Sequence, residues 1–168
     1  DSVASRGLGD VYKRQGFSIL FDTLNPERII LSGLCTGVGR FALKKAVAYA
    51  NDRKVFNNTP IGAHQGVQHP LAMARSEIEM ASLMALKAAW AFDQGLPAGE
   101  FANMAKYAAA EAGIHAVDSA IQCFGGNGFT KEYGMYDLYG LVRLLRTAPL
   151  NRDCLLYTSP SPRDATLS

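Results

Sequence analysis

Apolar residues recur at helical spacing along most of the chain, and no comparable stretch shows the alternation of a strand. Four stretches have this period, and their apolar stripes are Ile30, Leu34, Val38 and Phe41; Val67, Leu71, Ala74, Ile78 and Ala81; Phe101, Met104, Ala108, Ala112, Val117, Ala120 and Ile121; and Leu138, Leu141, Val142 and Leu145. Short connections join the four stretches. The pattern therefore predicts an all-α fold, an antiparallel up-and-down four-helix bundle.

Capping and breaking residues set the predicted ends of these helices. Asn25-Pro26-Glu27 predicts the start of the first helix, because Asn suits the N-cap, Pro accepts the first helical position and a carboxylate is favourable in the first turn. Glycine-rich turns are expected to end the second and third helices. The predicted helices span about residues 25–53, 65–94, 99–124 and 135–148, with a loop over residues 54–64.

Composition narrows the class of protein. With 168 residues, 48% of them hydrophobic, the chain can form one domain with a sizeable core, and its net charge of +2 argues against nucleic acid as a partner. The three cysteines form no CxxC pair and the histidines are not spaced as HExxH, so we expect no disulfide framework, no metal site and a reducing compartment. No apolar run is long enough to span a bilayer.

The coherent helical pattern covers residues 16–153. The flanking residues 1–15 and 154–168 lack any such period, and the second contains two Ser-Pro steps. We expect both to be unrelated tails of artefactual origin that carry no function.

Five segments carry a family resemblance: NPERIILSGLCTGVGRFALKKAVAYANDRKVF, IGAHQGVQHPLA, AAWAFDQG, AKYAAAEA and AIQCFGGNGFTKEYG. In this order they resemble the C-terminal domain of acyl-CoA dehydrogenases. The resemblance implies FAD-dependent oxidation of the Cα–Cβ bond of an acyl-CoA thioester to the 2-enoyl-CoA. It also implies a longer homodimeric or homotetrameric enzyme that shares its flavin sites between subunits, and the fragment alone is expected to be inactive. An electron-acceptor flavoprotein as partner and a home in the bacterial cytoplasm or the mitochondrial matrix follow from the same resemblance.

The resemblance also implies the residues that contact FAD, namely Arg53, Phe56, Gln65, Gln122, Gly125 and Gly126. Arg53 would meet the pyrophosphate, where a guanidinium fork suits phosphate oxygens. Gln122 and the two glycines would meet the adenine side across a subunit boundary. Two simpler interpretations remain open: Arg53 as a helix C-terminal cation that complements the macrodipole, and the glycines as a plain helix cap.

The position of the catalytic base in this chain differs from that in most members of the family. Most members of the family place a glutamate in a Glu-Gly-Thr segment after the last helix, whereas this chain has RLLRTAPLNRD there and no glutamate beyond Glu132. The pair Glu27-Arg28 resembles the position used by isovaleryl- and long-chain-type enzymes. This implies Glu27 as the base and Arg28 beside the acyl-CoA. The alternatives are a first-turn acid that interacts with the helix dipole, and an arginine in a structural ion pair.

Two rival functions stay open at this stage. Acyl-CoA oxidases and nitroalkane oxidases are related flavoenzymes of the same fold, and a non-catalytic helical interaction module would share the bundle without the chemistry. The sequence does not indicate the length or branching of the acyl group.

Overall fold

The computed structural model describes residues 15–157, with side chains over residues 23–156. The predicted tails lie outside this range except for Gln15 and residues 154–157. The described helices are α1 (Gln15–Asp52), α2 (Gln65–Asp93), α3 (Gly99–Phe124), α4 (Met135–Thr147) and α5 (Arg152–Tyr157). A hairpin of β1 (Lys54–Val55) and β2 (Thr59–Pro60) and a 3-10 turn (Ile61–Ala63) connect α1 to α2, and a second 3-10 turn (Gly125–Phe129) follows α3.

Two contacts that are well separated along α1 define the topology. Arg28 of α1 bonds to Asn103 near the start of α3, and Tyr49 near the end of α1 bonds to Asn127 just after α3. Helices α1 and α3 are therefore parallel, while the short connections make α2 and α4 antiparallel to them. This order confirms the predicted all-α up-and-down bundle.

Small residues let α1 and α3 approach each other closely. A Cβ atom added at Gly113 would lie 3.1 Å from the backbone oxygen of Cys35, and one at Gly39 would lie 3.3 Å from Cβ of Ala116. The core around this contact is rich in alanine: Ala42, Ala46, Ala74, Ala81, Ala109, Ala110, Ala112, Ala116 and Ala120 are all buried. The α1–α3 pair is therefore a close-packed centre, against which α2 and α4 pack.

The predicted apolar stripe of α1 is wrong. Ile30, Leu34 and Phe41 are 69%, 43% and 49% exposed, and Val38 is only half-buried. The face that is buried instead consists of Ser32, Cys35, Thr36, Gly39, Ala42, Leu43 and Ala46. Because α1 is apolar on more than one face, the spacing of its large side chains does not identify the inner one.

Two hydroxyls on the buried face of α1 are satisfied within the helix. Ser32 Oγ donates to the carbonyl of Arg28 at 2.7 Å, and Thr36 Oγ1 donates to that of Ser32 at 3.1 Å. A buried hydroxyl that bonds to the preceding turn has no need of a partner across the core. This explains how polar residues can occupy the inner face.

The N-terminal bound of α1 also differs from the prediction. The helix begins at Gln15 and continues through Pro26, so Asn25 is not its N-cap. Glu27 consequently lies outside the first turn, and its interpretation as a first-turn acid stabilised by the dipole is wrong. The region predicted as a loop contains the hairpin β1–β2, whose strands of two residues are too short to produce a visible alternation.

The predictions for the later helices are confirmed more closely. The bounds of α2, α3 and α4 agree with them to within one or two residues, and Leu71, Ala74 and Ile78 are buried as expected. Gly95 adopts a φ of 68° just after α2, as a helix-ending glycine does. None of the described helices combines the length and apolarity needed to cross a membrane.

Candidate functional site

The Arg53 backbone is fixed at the end of α1. Its N–H donates to the carbonyl of Tyr49 at 2.8 Å, and its carbonyl accepts from the N–H of Ile61 at 2.8 Å. Within the side chains of residues 23–156, no hydrogen bond or ion pair engages the Arg53 guanidinium, which is exposed. The structure therefore presents a positioned cation whose donors remain open to a ligand.

The hairpin that follows Arg53 turns through three consecutive left-handed residues. Phe56, Asn57 and Asn58 have φ angles of 35°, 54° and 64°, and the N–H of Thr59 donates to the carbonyl of Phe56 at 3.2 Å. Asparagine tolerates this region better than most residues, which accounts for the Asn-Asn pair. Phe56 itself is 84% exposed, so its aromatic side chain lies outside the core.

A glycine turn ends α3 beside this hairpin. Gly125 has φ 60° and ψ −135°, a region that is essentially restricted to glycine. A Cβ atom added at Gly126 would meet nothing within 4 Å, whereas one at Gly128 would lie 2.9 Å from the backbone oxygen of Ile121. The turn thus folds back onto α3 through Gly128 and leaves Gly125 and Gly126 facing open space.

A cavity of about 310 Å³ joins these features. It is lined by Tyr49, Arg53, Ile61, Cys123, Phe124, Gly125, Gly126 and Asn127. The structure therefore brings Arg53 together with Gly125 and Gly126, three of the six residues implied by the resemblance. Their role in FAD binding stays a prediction.

The other three lie at the same end of the bundle but outside this lining. Gln65 is the exposed first residue of α2, Gln122 is exposed in the last turn of α3, and Phe56 is in the hairpin. Conversely, the sequence did not single out Tyr49 or Asn127. For Tyr49 the available signal was its place one helical turn before Arg53, and for Asn127 it was only membership of the Gly-Gly-Asn-Gly segment.

Glu27 and Arg28 lie far from this cavity. Arg28 is buried, its Nε donates to the carbonyl of Leu24 at 3.2 Å, and its Nη1 donates to Asn103 Oδ1. Burial lowers the pKa of the Arg28 guanidinium, and the neighbouring charge of Glu27 opposes this effect. Glu27 is exposed. The 24 residues from Arg28 to the end of α1 correspond to about 36 Å of helix, so the predicted base and the Arg53 cavity are at opposite ends.

The residue types that line the cavity could hold the phosphate part of a dinucleotide. A free guanidinium suits phosphate oxygens, and glycines without a Cβ allow a ligand to approach the backbone closely. The site does not suit a metal ion: within the described part of the chain, no group of three or more His, Cys, Asp or Glu side chains could hold one.

These features define a helical-bundle domain with a cationic, glycine-lined pocket at one end. The family model described as "Acyl-CoA dehydrogenase, C-terminal domain" matches residues 14–149. The chain therefore belongs to the acyl-CoA dehydrogenase family and corresponds to its C-terminal domain.

Relatives of known name agree with this assignment. The chain is 55% identical over 139 residues to acyl-CoA dehydrogenase FadE12 of Mycobacterium tuberculosis, a match that covers 82% of this chain and 36% of the relative. It is 38% identical over 138 residues to 3-(aryl)acrylate reductase of Clostridium sporogenes, over 82% of this chain and 36% of that protein. Butyryl-CoA dehydrogenase from Megasphaera elsdenii superposes with a TM-score of 0.84 at 27% identity, over 92% of this chain and 39% of that chain. The chain thus spans little more than a third of each relative.

Proposed function

We propose that this chain is the cofactor-contacting helical part of an FAD-dependent acyl-CoA dehydrogenase. The observation that carries the proposal is the cavity that Arg53 lines together with the Gly125-Gly126 turn. Membership of the family supplies the flavin context, and a structural neighbour bears the description "PigA with FAD and proline". The named relatives are bacterial, so we place the enzyme in a bacterial cytoplasm.

In this proposal Arg53 and the glycine turn bind the cofactor, and Glu27 and Arg28 act on the substrate. FAD, when held by Arg53 and the glycine turn, would supply the hydride acceptor for the β-hydrogen of the acyl group. Arg53 neutralises the pyrophosphate, and the glycine turn allows the cofactor to lie against the backbone. Glu27 removes the α-proton, for which its exposed carboxylate is accessible from outside the bundle. Arg28, buried beside Glu27, would fix that part of α1 near the thioester.

The separation of the two ends supports a shared active site. About 36 Å of α1 lies between Arg28 and Arg53, which exceeds the length of an extended FAD molecule. One FAD therefore cannot contact Glu27 and Arg53 of the same chain. We propose a homodimer or homotetramer in which each copy gives Glu27 to one flavin and Arg53 to another, with acyl-CoA as substrate and an electron-transferring flavoprotein as acceptor.

Titration of FAD onto the full-length enzyme tests the Arg53 cavity. Arg53→Met should weaken FAD binding at least about tenfold, because a charged hydrogen bond to phosphate contributes roughly 1.5–3 kcal/mol. Lys54→Met is the matched control, since Lys54 is also exposed and cationic but does not line the cavity. Equal losses in both variants, or no loss in Arg53→Met, would contradict the assignment.

Subunit mixing tests the shared site and the base together. Glu27→Gln alone should abolish reduction of bound flavin by acyl-CoA, and Arg53→Met alone should leave the sites largely unoccupied at an FAD concentration that just saturates the native site. A mixed dimer of one Glu27→Gln and one Arg53→Met copy should regain activity, because one of its two sites then has both native residues. If the mixture stays inactive, both residues serve the same copy or one of the roles is wrong.

The opposite reaction direction is a second candidate. A relative 38% identical to this chain is named 3-(aryl)acrylate reductase, which indicates reduction of a carbon–carbon double bond within the same family. The full-length enzyme can be assayed with an acyl-CoA plus an oxidised electron acceptor, and with an aryl-acrylate substrate plus a reduced electron donor. Turnover confined to the second pair would favour the reductase.

A further inference from the structure

One side-chain hydrogen bond connects the glycine turn to α1. Asn127 Nδ2 donates to the Tyr49 hydroxyl at 2.9 Å, across 78 residues of sequence. The Asn127 carbonyl also accepts from the backbone N–H and the hydroxyl of Thr130, at 3.1 and 2.9 Å. Asn127 is therefore held through its backbone within the turn and through its amide to the helix.

The Tyr49 ring is held in place by packing against two other aromatic rings. It packs against Phe124 with ring centroids 4.4 Å apart and meets Tyr133 edge-on at 5.7 Å. The carbonyl of Tyr49 accepts the N–H of Arg53 at 2.8 Å. Tyr49 thus contacts the turn through its hydroxyl and the arginine through its backbone, and it lines the cavity between them.

The two glycines that face the cavity are held only through their backbone, in which the Gly125 N–H donates to the carbonyls of Gln122 and Ile121. Neither Gly125 nor Gly126 has a side chain, and Cβ atoms added there would meet no atom within 4 Å. The free glycine backbone has more accessible conformations than any other residue, so a turn of this composition depends on contacts made by its neighbours. Those neighbours are Gly128, packed on α3, and Asn127, bonded to Tyr49.

We propose that Tyr49 and Asn127 are a positioning pair that fixes the position of the Gly125-Gly126 turn relative to Arg53. This relative position sets the affinity for the phosphate part of a dinucleotide. The inference rests on the proposed function. The pair acts on cofactor binding alone, since Glu27 lies more than 20 residues earlier in α1 and makes no contact with the pair.

The test is a double-mutant cycle on FAD affinity in the full-length enzyme. Tyr49→Phe removes only the accepting hydroxyl, Asn127→Ala removes the donating amide, and the double variant removes both. Tyr133→Phe is the matched control, because Tyr133 belongs to the same aromatic cluster and its hydroxyl makes no hydrogen bond within the described residues. The readouts are the dissociation constant of FAD, kcat at saturating FAD, and KM for the acyl-CoA.

Each single variant should raise the dissociation constant of FAD by about three- to tenfold, as expected for one hydrogen bond, and the double variant should raise it no further. The control should bind FAD like the unmodified enzyme. In the single and double variants the loss should appear in FAD affinity and not in KM for acyl-CoA, whereas the Tyr133→Phe control should keep kcat at saturating FAD within about twofold.

Three results would overturn the inference. Native FAD affinity in both single variants would show that the contact does not position the turn. Multiplying losses in the double variant would show that the two residues act separately. A fall in kcat that matches the loss of affinity would indicate general disruption. Failure of the proposed function is distinguishable, because the unmodified enzyme would then bind no FAD before any variant is compared.

Discussion

Gly128 is the position where the glycine turn depends most on the absence of a side chain. A Cβ atom there would lie 2.9 Å from the backbone oxygen of Ile121, 3.1 Å from its Cα and 3.2 Å from its Cγ2. Two of these atoms belong to the backbone of α3 and cannot rotate away. We therefore expect Gly128→Ala to push the turn off the helix and to destabilise the fold.

The size of the effect follows from a comparison with Gly126, two residues earlier. An alanine at Gly126 would meet nothing within 4 Å. Both substitutions reduce the entropy of the unfolded chain equally, a gain of about 0.4–1 kcal/mol in each, so this contribution cancels between the variants. What remains is the overpacking at Gly128, about 1–3 kcal/mol. Gly128→Ala should therefore have the lower free energy of unfolding by that amount.

Thermal and urea unfolding of the two variants, followed by far-ultraviolet circular dichroism, measures this difference. For a chain of this size a loss of 2 kcal/mol corresponds to about 4–8 °C in melting temperature. Equal melting temperatures would show that the turn can shift without cost. The close contact of Gly128 with α3 would then not be what fixes it.

Three further outcomes are expected from other parts of the bundle. Lys106 is buried, and its Nζ donates to two carbonyls at the C-terminal end of α4 and just beyond, at 3.3 and 2.7 Å. Lys106→Met should therefore lower the free energy of unfolding by about 1–3 kcal/mol in urea titrations. An unchanged midpoint would refute this role. Arg40 lowers the pKa of the Glu79 carboxyl chiefly by a hydrogen bond, so this pair should stabilise the fold above the usual carboxyl pKa and less as pH falls through the lowered pKa. In Glu79→Gln the free energy of unfolding should therefore fall less steeply with acid. An unchanged dependence of stability on pH would exclude a contribution from the pair. Burial raises the pKa of the Cys35 thiol to about 11, so Cys35 should react with a thiol reagent only after unfolding. The exposed Cys154 should react in the native chain. Rapid labelling of Cys35 in the native chain would contradict its buried placement.

The sequence predicted the helices better than their inner faces. The stripe of α2 was identifiable because charged residues flank Ala74 and Ile78, namely Arg75, Glu77 and Glu79. Helix α1 lacks such contrast, since Ile30 and Phe41 are apolar yet outward. Its inner face includes hydroxyls bonded to its own backbone, a pattern that hydrophobicity alone does not reveal.

The site was predictable only in part. The resemblance pointed to Arg53 and the glycines, and the fold places them around one cavity. The Tyr49–Asn127 contact joins residues 78 positions apart, and nothing in local spacing indicates such a pair. The start of α1 was missed because Asn25-Pro26 has the composition of a helix start, yet the helix continues through the proline.

The parallel arrangement of α1 and α3 has an electrostatic consequence for any anion at the cavity. Both helices end there, and the carbonyl-rich end of a helix carries partial negative charge that repels phosphate. The start of α2 at the same end offsets only part of this. Under the proposed function Arg53 has to offset this negative potential, and the same cation also reduces the repulsion between the two helix ends.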